Sequence, residues 1–376
     1  MKPKEQVVLV LQGGGALGAY QAGAYAELAK AGHQPAWVAG ISIGSVNAAI
    51  ICGNPPGLRA QRLREFWDGV SDHLVGMPLV NMAGARHIFN ELSAAQVMVQ
   101  GVPGFFRPRF PWVGFAWGGG MRGTSYYDTD PLRETLRKLV DFDWLNDHGP
   151  RLSIGAVDVE TGNFTYFDSA TTRIGPEHVM ASGALPPGFA AVEIGGRSYW
   201  DGGLVSNTPL QYVLENAGSD PICVFQVDLF SARGEVPTTL AEVGQRQKDI
   251  QYSSRTRLTT DRFSQLHDLR AAADRLAARL PDNLMTDPDL ALLRAAGPAC
   301  PVTLVELIHR KESFEGASKD YEFSRLSMTQ HWAAGQSDVQ KTLQHPAWRN
   351  RKHTEGLQMF DLAAALAAPR EPAEVE

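Results

Sequence analysis

Apolar positions along this chain follow two spacings, and the switches between them mark the elements. Residues 7–11 (Val-Val-Leu-Val-Leu) form a continuous apolar run, too short for a helix and suited to a strand buried on both faces. After a group of glycines, Leu17, Tyr20, Ala24, Leu28 and Ala31 recur at helical spacing, which predicts a helix over 18–31 ended by Gly32. Residues 37–41 read as a second short strand, and 43–52 as a small-residue helix that can pack closely against it. Strand and helix alternating in this way imply a parallel α/β sheet.

Further along, a helix is expected over 57–67 and an irregular stretch over 70–125. Within it Phe105, Phe106, Phe110, Trp112, Phe115 and Trp117 are interleaved with prolines and glycines, reading either as a cap or as rings packed under a long loop. Asp130-Pro131 starts a helix running to about 140. Hairpins are predicted for 152–159 with 164–167, and for 191–194 with 197–200, the second ending at Asp201. A short helix over 177–182 stops at Gly183 before Pro186-Pro187, another starts at 207–209, and 222–229 is a buried strand. Beyond 230 the chain turns polar and helical, with Leu266, Leu269, Ala273, Leu276 and Leu280 on one stripe. One strand, 302–308, interrupts it, helix resumes to about 367, and 370–376 reads as a disordered tail. The expected division is an α/β domain over 5–230, with 70–125 as cap or insertion, and a mainly helical extension over 231–369 packed on it.

Composition narrows the class. Over 376 residues, 44% apolar and 20% charged is the balance of a soluble globular protein. A net charge of −6 disfavours nucleic acid as a partner and broad attraction to anionic lipid. Cys52, Cys223 and Cys300 have no ligand-like spacing and read as reduced, buried thiols. The first apolar run is shorter than a signal-peptide core, and no stretch approaches the ~18 apolar residues of a membrane span. The expected compartment is the cytoplasm, with peripheral membrane contact allowed. The basic residues Arg246, Lys248, Arg255, Arg257 and Arg262 stand among acidic neighbours and read as a solvated face, with homo-oligomer formation through the apolar stripe as the minority reading.

Three glycine-framed segments carry the chemistry. Gly13-Gly14-Gly15-x-x-Gly18 lies between the first strand and helix, Gly40-Ile41-Ser42-Ile43-Gly44 between the second pair, and Asp201-Gly202-Gly203 ends a hairpin. A serine at the centre of Gly-x-Ser-x-Gly can sit on a sharp strand-to-helix turn, its hydroxyl exposed and the helix N-terminus aimed at it. Clustered glycines can present backbone N–H groups to an oxyanion. Gly13-x-Gly15-x-x-Gly18 also matches a dinucleotide fingerprint, but the carboxylate that fingerprint needs about 20 residues on is missing from 37–40. Ten histidines are scattered with no catalytic spacing, and the serine turn follows only the second strand. Both facts favour a carboxylate as the base for Ser42, and Asp201 is the best candidate. The bland alternatives are an N-cap for Ser42 and an ordinary turn for Asp201.

With these segments in hand, the chain resembles the patatin-like phospholipases. Gln12–Gly18 resembles the family's oxyanion block, Gly40–Gly44 its nucleophile elbow, Ala181–Pro186 a block preceding the base, and Asp201-Gly202-Gly203 the base motif. The resemblance spans roughly 6–230. It implies a three-layer α/β/α fold with a mostly parallel sheet, a Ser42–Asp201 dyad, Gly13, Gly14 and Gly15 as oxyanion donors, and lipid acyl-ester hydrolysis without metal or cofactor. Where the family's glycine block commonly carries a basic residue, this chain has Leu17. Two rival functions stand beside this one. One is a soluble carboxylesterase acting on short-chain or hydroxyalkanoate oligomer esters; the other is a regulatory or lipid-binding protein on an inactive hydrolase scaffold.

Overall fold

The structure, a computed structural model, describes residues 5–71, 83–109, 124–254, 256–281, 284–295, 300–310, 315–316, 318–351 and 356–362. In chain order its elements begin β1 (Gln6–Leu11), α1 (Gly18–Lys30), β2 (Trp37–Ile41), α2 (Ile43–Cys52), α3 (Pro56–Ser71) and α4 (Ala83–Gln100). Next come β3 (Arg107–Pro108), β4 (Tyr127–Asp128), α5 (Asp130–Leu139), α6 (Phe142–Asp147), β5 (Arg151–Asp158) and β6 (Phe164–Asp168). The middle continues with α7 (Pro176–Ser182), β7 (Val192–Ile194), β8 (Arg197–Asp201), α8 (Leu210–Glu215) and β9 (Ile222–Asp228). The C-terminal part holds α9 (Leu240–Tyr252), α10 (Thr256–Ala277), α11 (Pro288–Ala295), β10 (Val302–Ile308), α12 (Arg325–Gln344), α13 (Pro346–Arg349) and β11 (Leu357–Phe360).

Nine strands form one sheet in the order β11-β10-β9-β1-β2-β5-β8-β7, with β6 also paired to β5. From β11 to β5 every pairing is parallel; β6 and β8 run antiparallel to β5, and β7, antiparallel to β8, returns to the common direction. Side chains alternate between two cores, as the two-residue period of a strand requires. On one face Leu9, Leu11, Val38, Phe225, Val227, Val305 and Leu307 meet residues of α1, α2, α3 and α12. On the other, Val8, Val10, Ala39, Val224, Val302 and Leu304 meet Leu210, Val213 and Leu214 of α8 and Phe263 of α10. Helices on both sides of a mostly parallel sheet are the three layers expected.

Register explains how distant motifs converge. Leu11 pairs with Gly40 on one side and with Val227 on the other. The chain therefore leaves β1, β2 and β9 at one edge, the carboxyl edge where open α/β sheets place their sites. Ile41 pairs with Gly155, and the next residue of β5, Ala156, pairs with Asp201. Ser42 and Asp201 thus stand at the same height on either side of β5.

Two sequence expectations need correction. Residues 83–100 are a helix, not irregular chain; Ala, Glu, Gln and Met favour that state, and Asn90, Ala94 and Val97 are buried on one side of it. Residues 357–360, expected within helix, are the edge strand β11, paired in register with β10 from Val302↔Leu357 to Val305↔Phe360. Consequently the mainly helical C-terminal region also lends two strands to the central sheet. It is seated closely on α1: a Cβ on Gly23 would lie 2.0 Å from the Trp332 carbonyl oxygen, and one on Gly335 2.1 Å from that of Tyr20. The rings at 110, 112, 115 and 117, Arg255 and the tail 370–376 lie outside the described residues. Among the described residues no helix is long and apolar enough to cross a membrane.

Candidate active site

The turn between β2 and α2 sets the geometry. Ser42 has φ 53° and ψ −125°, and it is the one non-glycine residue with positive φ among those described. Such a conformation costs roughly 1–3 kcal/mol and persists only where the surroundings impose it. Here the surroundings leave no room for side chains on either flank. A Cβ on Gly40 would meet the Gly44 carbonyl oxygen at 2.5 Å, and one on Gly44 would meet that of Leu11 at 2.3 Å. Although Ser42 occupies the N-cap position of α2, its side chain makes no capping bond. The N-cap reading of Ser42 is therefore set aside.

Its side chain instead faces the Asp201 carboxyl, close enough to pull that group's pKa down. Asp201 is buried at 2% exposure, takes the Gly203 N–H at 2.7 Å on Oδ1, and fixes its own backbone by donating N–H to Ala184 O at 3.0 Å. Burial pushes its carboxyl up to about 7, against the lowering effect of the bonds from Ser42 and Gly203. The bond from Gly203 is itself a turn bond, so Asp201 is at once a turn residue and a buried carboxyl. Gly202 is needed for close approach: its Cβ would stand 2.7 Å from the Gly155 carbonyl oxygen.

Beside this pair lies the glycine loop. A Cβ on Gly13 would be 3.0 Å from that of Ser42 and 2.3 Å from Asn207 Oδ1. The sequence places Gly13 among three oxyanion donors; in the structure its N–H donates to the Asn207 carbonyl at 3.2 Å. For Gly14 and Gly15 no N–H bond is seen among the described residues, while the next N–H, that of Ala16, goes to Asp320 O at 2.8 Å. Gly15 has φ 54°, and its Cβ would lie 2.1 Å from that same Asp320 oxygen. Gly18 packs against Ile43 and Trp67, where a Cβ would come within 2.8 Å of both.

Sequence reasoning missed four supporting residues. Ser182 Oγ accepts the Ser42 N–H at 3.0 Å, so the block before the base braces the elbow. Asn207 Nδ2 donates to Gly13 O at 3.0 Å and to Tyr252 O at 2.8 Å, linking the glycine loop to α9. Gln12 Oε1 takes the N–H groups of Leu229 and Phe230 at 2.6 and 2.8 Å, and its Nε2 donates to Thr208. Asp320, from the C-terminal region, closes the glycine loop as described. Gln12 and Ser182 lie inside blocks already marked in the sequence, Gln12–Gly18 and Ala181–Pro186, whereas Asn207 and Asp320 left no signal there.

Two other sequence readings are settled by contacts. Leu17 is fully buried in the core and presents nothing to a substrate. Phe105 and Phe106 pack with Phe66, Phe189, Tyr127 and Phe323, so these two rings belong to the core. Arg107 and Arg109, beside these rings, both face Asp128, at 2.8 and 3.7 Å. A cleft of about 840 Å³ opens next to Gly203 and Asn207 and runs to Phe263 and Leu266 of α10.

A model of the patatin-like phospholipase family matches residues 9–214, and a second, described as patatin phospholipase, matches 250–355. No curated protein matches the chain. Among solved structures, VipD from Legionella pneumophila is similar at 14% identity over 89% of this chain and 67% of that one, with a TM-score of 0.36. A chain of the heterodimeric ExoU–SpcU complex from the type III secretion system of Pseudomonas aeruginosa is similar at 16% identity over 90% of this chain and 76% of that one, with a TM-score of 0.29. With the family match covering more than half of its length, the chain belongs to the patatin-like phospholipases, a family of lipid hydrolases.

Proposed function

We propose that the protein is a serine acyl-ester hydrolase of the phospholipase A or lipase type, working through a Ser42–Asp201 dyad. The observation that carries this is the Ser42 side chain held against the buried Asp201 carboxyl by a positive-φ backbone that serine rarely adopts. Asp201 takes the Ser42 proton as Oγ attacks the ester carbonyl carbon. The oxygen that becomes negative is held by the Gly14 and Gly15 N–H groups, with the N-terminus of α2 behind it. Collapse breaks the carbon–oxygen bond to the leaving alcohol, which takes the proton from Asp201 and leaves an acyl-enzyme. Water then attacks the acyl carbon, Asp201 accepts its proton and returns it to Ser42 Oγ, and the fatty acid departs. A carboxylate poised near 7 suits both proton transfers at neutral pH.

Fatty-acid release from phosphatidylcholine vesicles, measured beside hydrolysis of soluble p-nitrophenyl esters, tests the reading. The wild type is expected to release fatty acid from vesicles, and Ser42→Ala and Asp201→Asn to lose roughly 10³-fold or more. Turnover of short soluble esters alone supports the carboxylesterase reading instead. No turnover on either class supports a binding protein on a hydrolase scaffold.

A further inference from the structure

A buried cluster at the far end of β10 takes no part in this chemistry. His309 follows β10, Glu315 lies in the segment that leads to Asp320, and His331 is on α12. They are exposed by only 3%, 5% and 5%. The geometry points to a binding site for one divalent transition-metal ion, with His309 Nε2, His331 Nε2 and the Glu315 carboxylate as ligands and zinc as the best match to them.

Three observations carry this. First, the donor atoms converge, one from each residue, all within 4.8 Å of one another. Second, the spacings suit an ion better than a simple N–H bond at His309. Its Nε2 is 3.2 Å from Oε1 and 3.3 Å from Oε2, facing the two-oxygen edge of the carboxylate. Charge-assisted N–H···O bonds run at about 2.7–2.9 Å. Donors about 2.0–2.1 Å from a tetrahedral ion stand about 3.3 Å apart. His331 Nε2, at 2.8 Å from Oε1, would have to open by roughly half an ångström. Third, all three side chains are buried together, away from bulk water that would otherwise hydrate the carboxylate.

Two imidazoles and a carboxylate are a ligand set that zinc and its neighbours accept. His331 Nδ1 is buried with no partner among the described residues, so that ring lacks the outer hydrogen bond that strengthens a ligand. Affinity should therefore fall below that of a fully supported structural zinc site. The role assigned is mechanical. An ion there would join β10, the segment holding Asp320, and α12, and Asp320 is the residue that closes the glycine loop at Ala16.

Cobalt(II) titration of the full chain, after treatment with a chelator, tests the assignment through the visible absorption of the bound ion. The wild type should develop the bands of a four- or five-coordinate site, saturating at one ion per chain and displaced by zinc, and zinc should raise the thermal midpoint. Glu315→Gln and His331→Gln should each abolish the bands; the second keeps the experiment readable where loss of Glu315 prevents folding. Absence of bands from the wild type, no zinc effect on its midpoint, or bands unchanged in a folded variant would overturn the site and leave a hydrogen-bonded triad.

Discussion

The Ser182 hydroxyl oxygen lies 3.0 Å from the Ser42 backbone nitrogen and accepts its N–H. Ser42 stands at the junction of β2 and α2, where neither element supplies a partner for that donor. Ser182 is itself fully buried, so no exposed group replaces it. Ser182→Ala should lower kcat about tenfold with a smaller change in KM, because the cost of an orphaned buried donor, about 1–3 kcal/mol, falls on the elbow. Steady-state kinetics beside a circular-dichroism spectrum separate this from general unfolding.

The state of Asp201 fixes the pH dependence. Only the carboxylate can take the Ser42 proton, and burial holds its pKa up to about 7. Activity, as kcat/KM, should therefore fall about tenfold per unit below that value and level off above it. A pH–rate profile from 5 to 9 checks this; a profile flat across about 7 would show that another group is the base.

The same shift predicts a stability effect of opposite sense. A carboxyl whose folded pKa is raised holds its proton between the ordinary 3.8 and about 7, where the unfolded chain has lost it. Its contribution is complete below the unfolded value and is lost as pH rises through the folded one. Asp201→Asn removes the buried charge, so it should raise the thermal midpoint at pH 8 while turnover disappears. Paired thermal scans at pH 5 and pH 8 should show the gain growing with pH.

Strain at Ser42 makes a separate prediction. Glycine adopts φ 53°, ψ −125° without the clash that a Cβ brings. Ser42→Gly should stabilise the fold by roughly 1 kcal/mol as it abolishes activity. Ser42→Ala keeps the Cβ and should gain little. Denaturant midpoints of the two variants make the comparison.

Gly15 joins the two halves of the chain. A methyl group there would meet a main-chain oxygen, that of Asp320, at 2.1 Å, and the residue is already at φ 54°. Gly15→Ala should both destabilise the protein and misplace the oxyanion donors, lowering kcat by about 10²-fold or more. Gly13→Ala would meet a side-chain oxygen, Asn207 Oδ1, which can rotate away. It should cost activity with less loss of stability.

The legible parts of the sequence were those governed by local chemistry. The apolar runs at 7–11 and 37–41 became β1 and β2, and Asp201 does end a strand. The elbow around Ser42 was readable because only glycine fits at 40 and 44. The illegible parts depend on distant partners. That the Gly13 N–H bonds to Asn207, a residue between β8 and α8 and far along the chain, is something no local pattern shows. Ser182 and Asp320 act through one polar atom each, and spacing gives no sign of where it points. The four residues of β11 are too few to display a period, and they are a strand because β10 offers an open edge. Helix α4 was hidden by its aromatic, glycine-rich surroundings, although its own composition favours it.

The central claim is that Ser42 is the nucleophile. Reaction of the full chain with a fluorophosphonate, followed by peptide mass spectrometry, locates the phosphonylated residue directly. The account predicts a single adduct on Ser42, lost in Ser42→Ala and strongly slowed in Asp201→Asn. An adduct on a different serine, or equal labelling of wild type and Ser42→Ala, would contradict it.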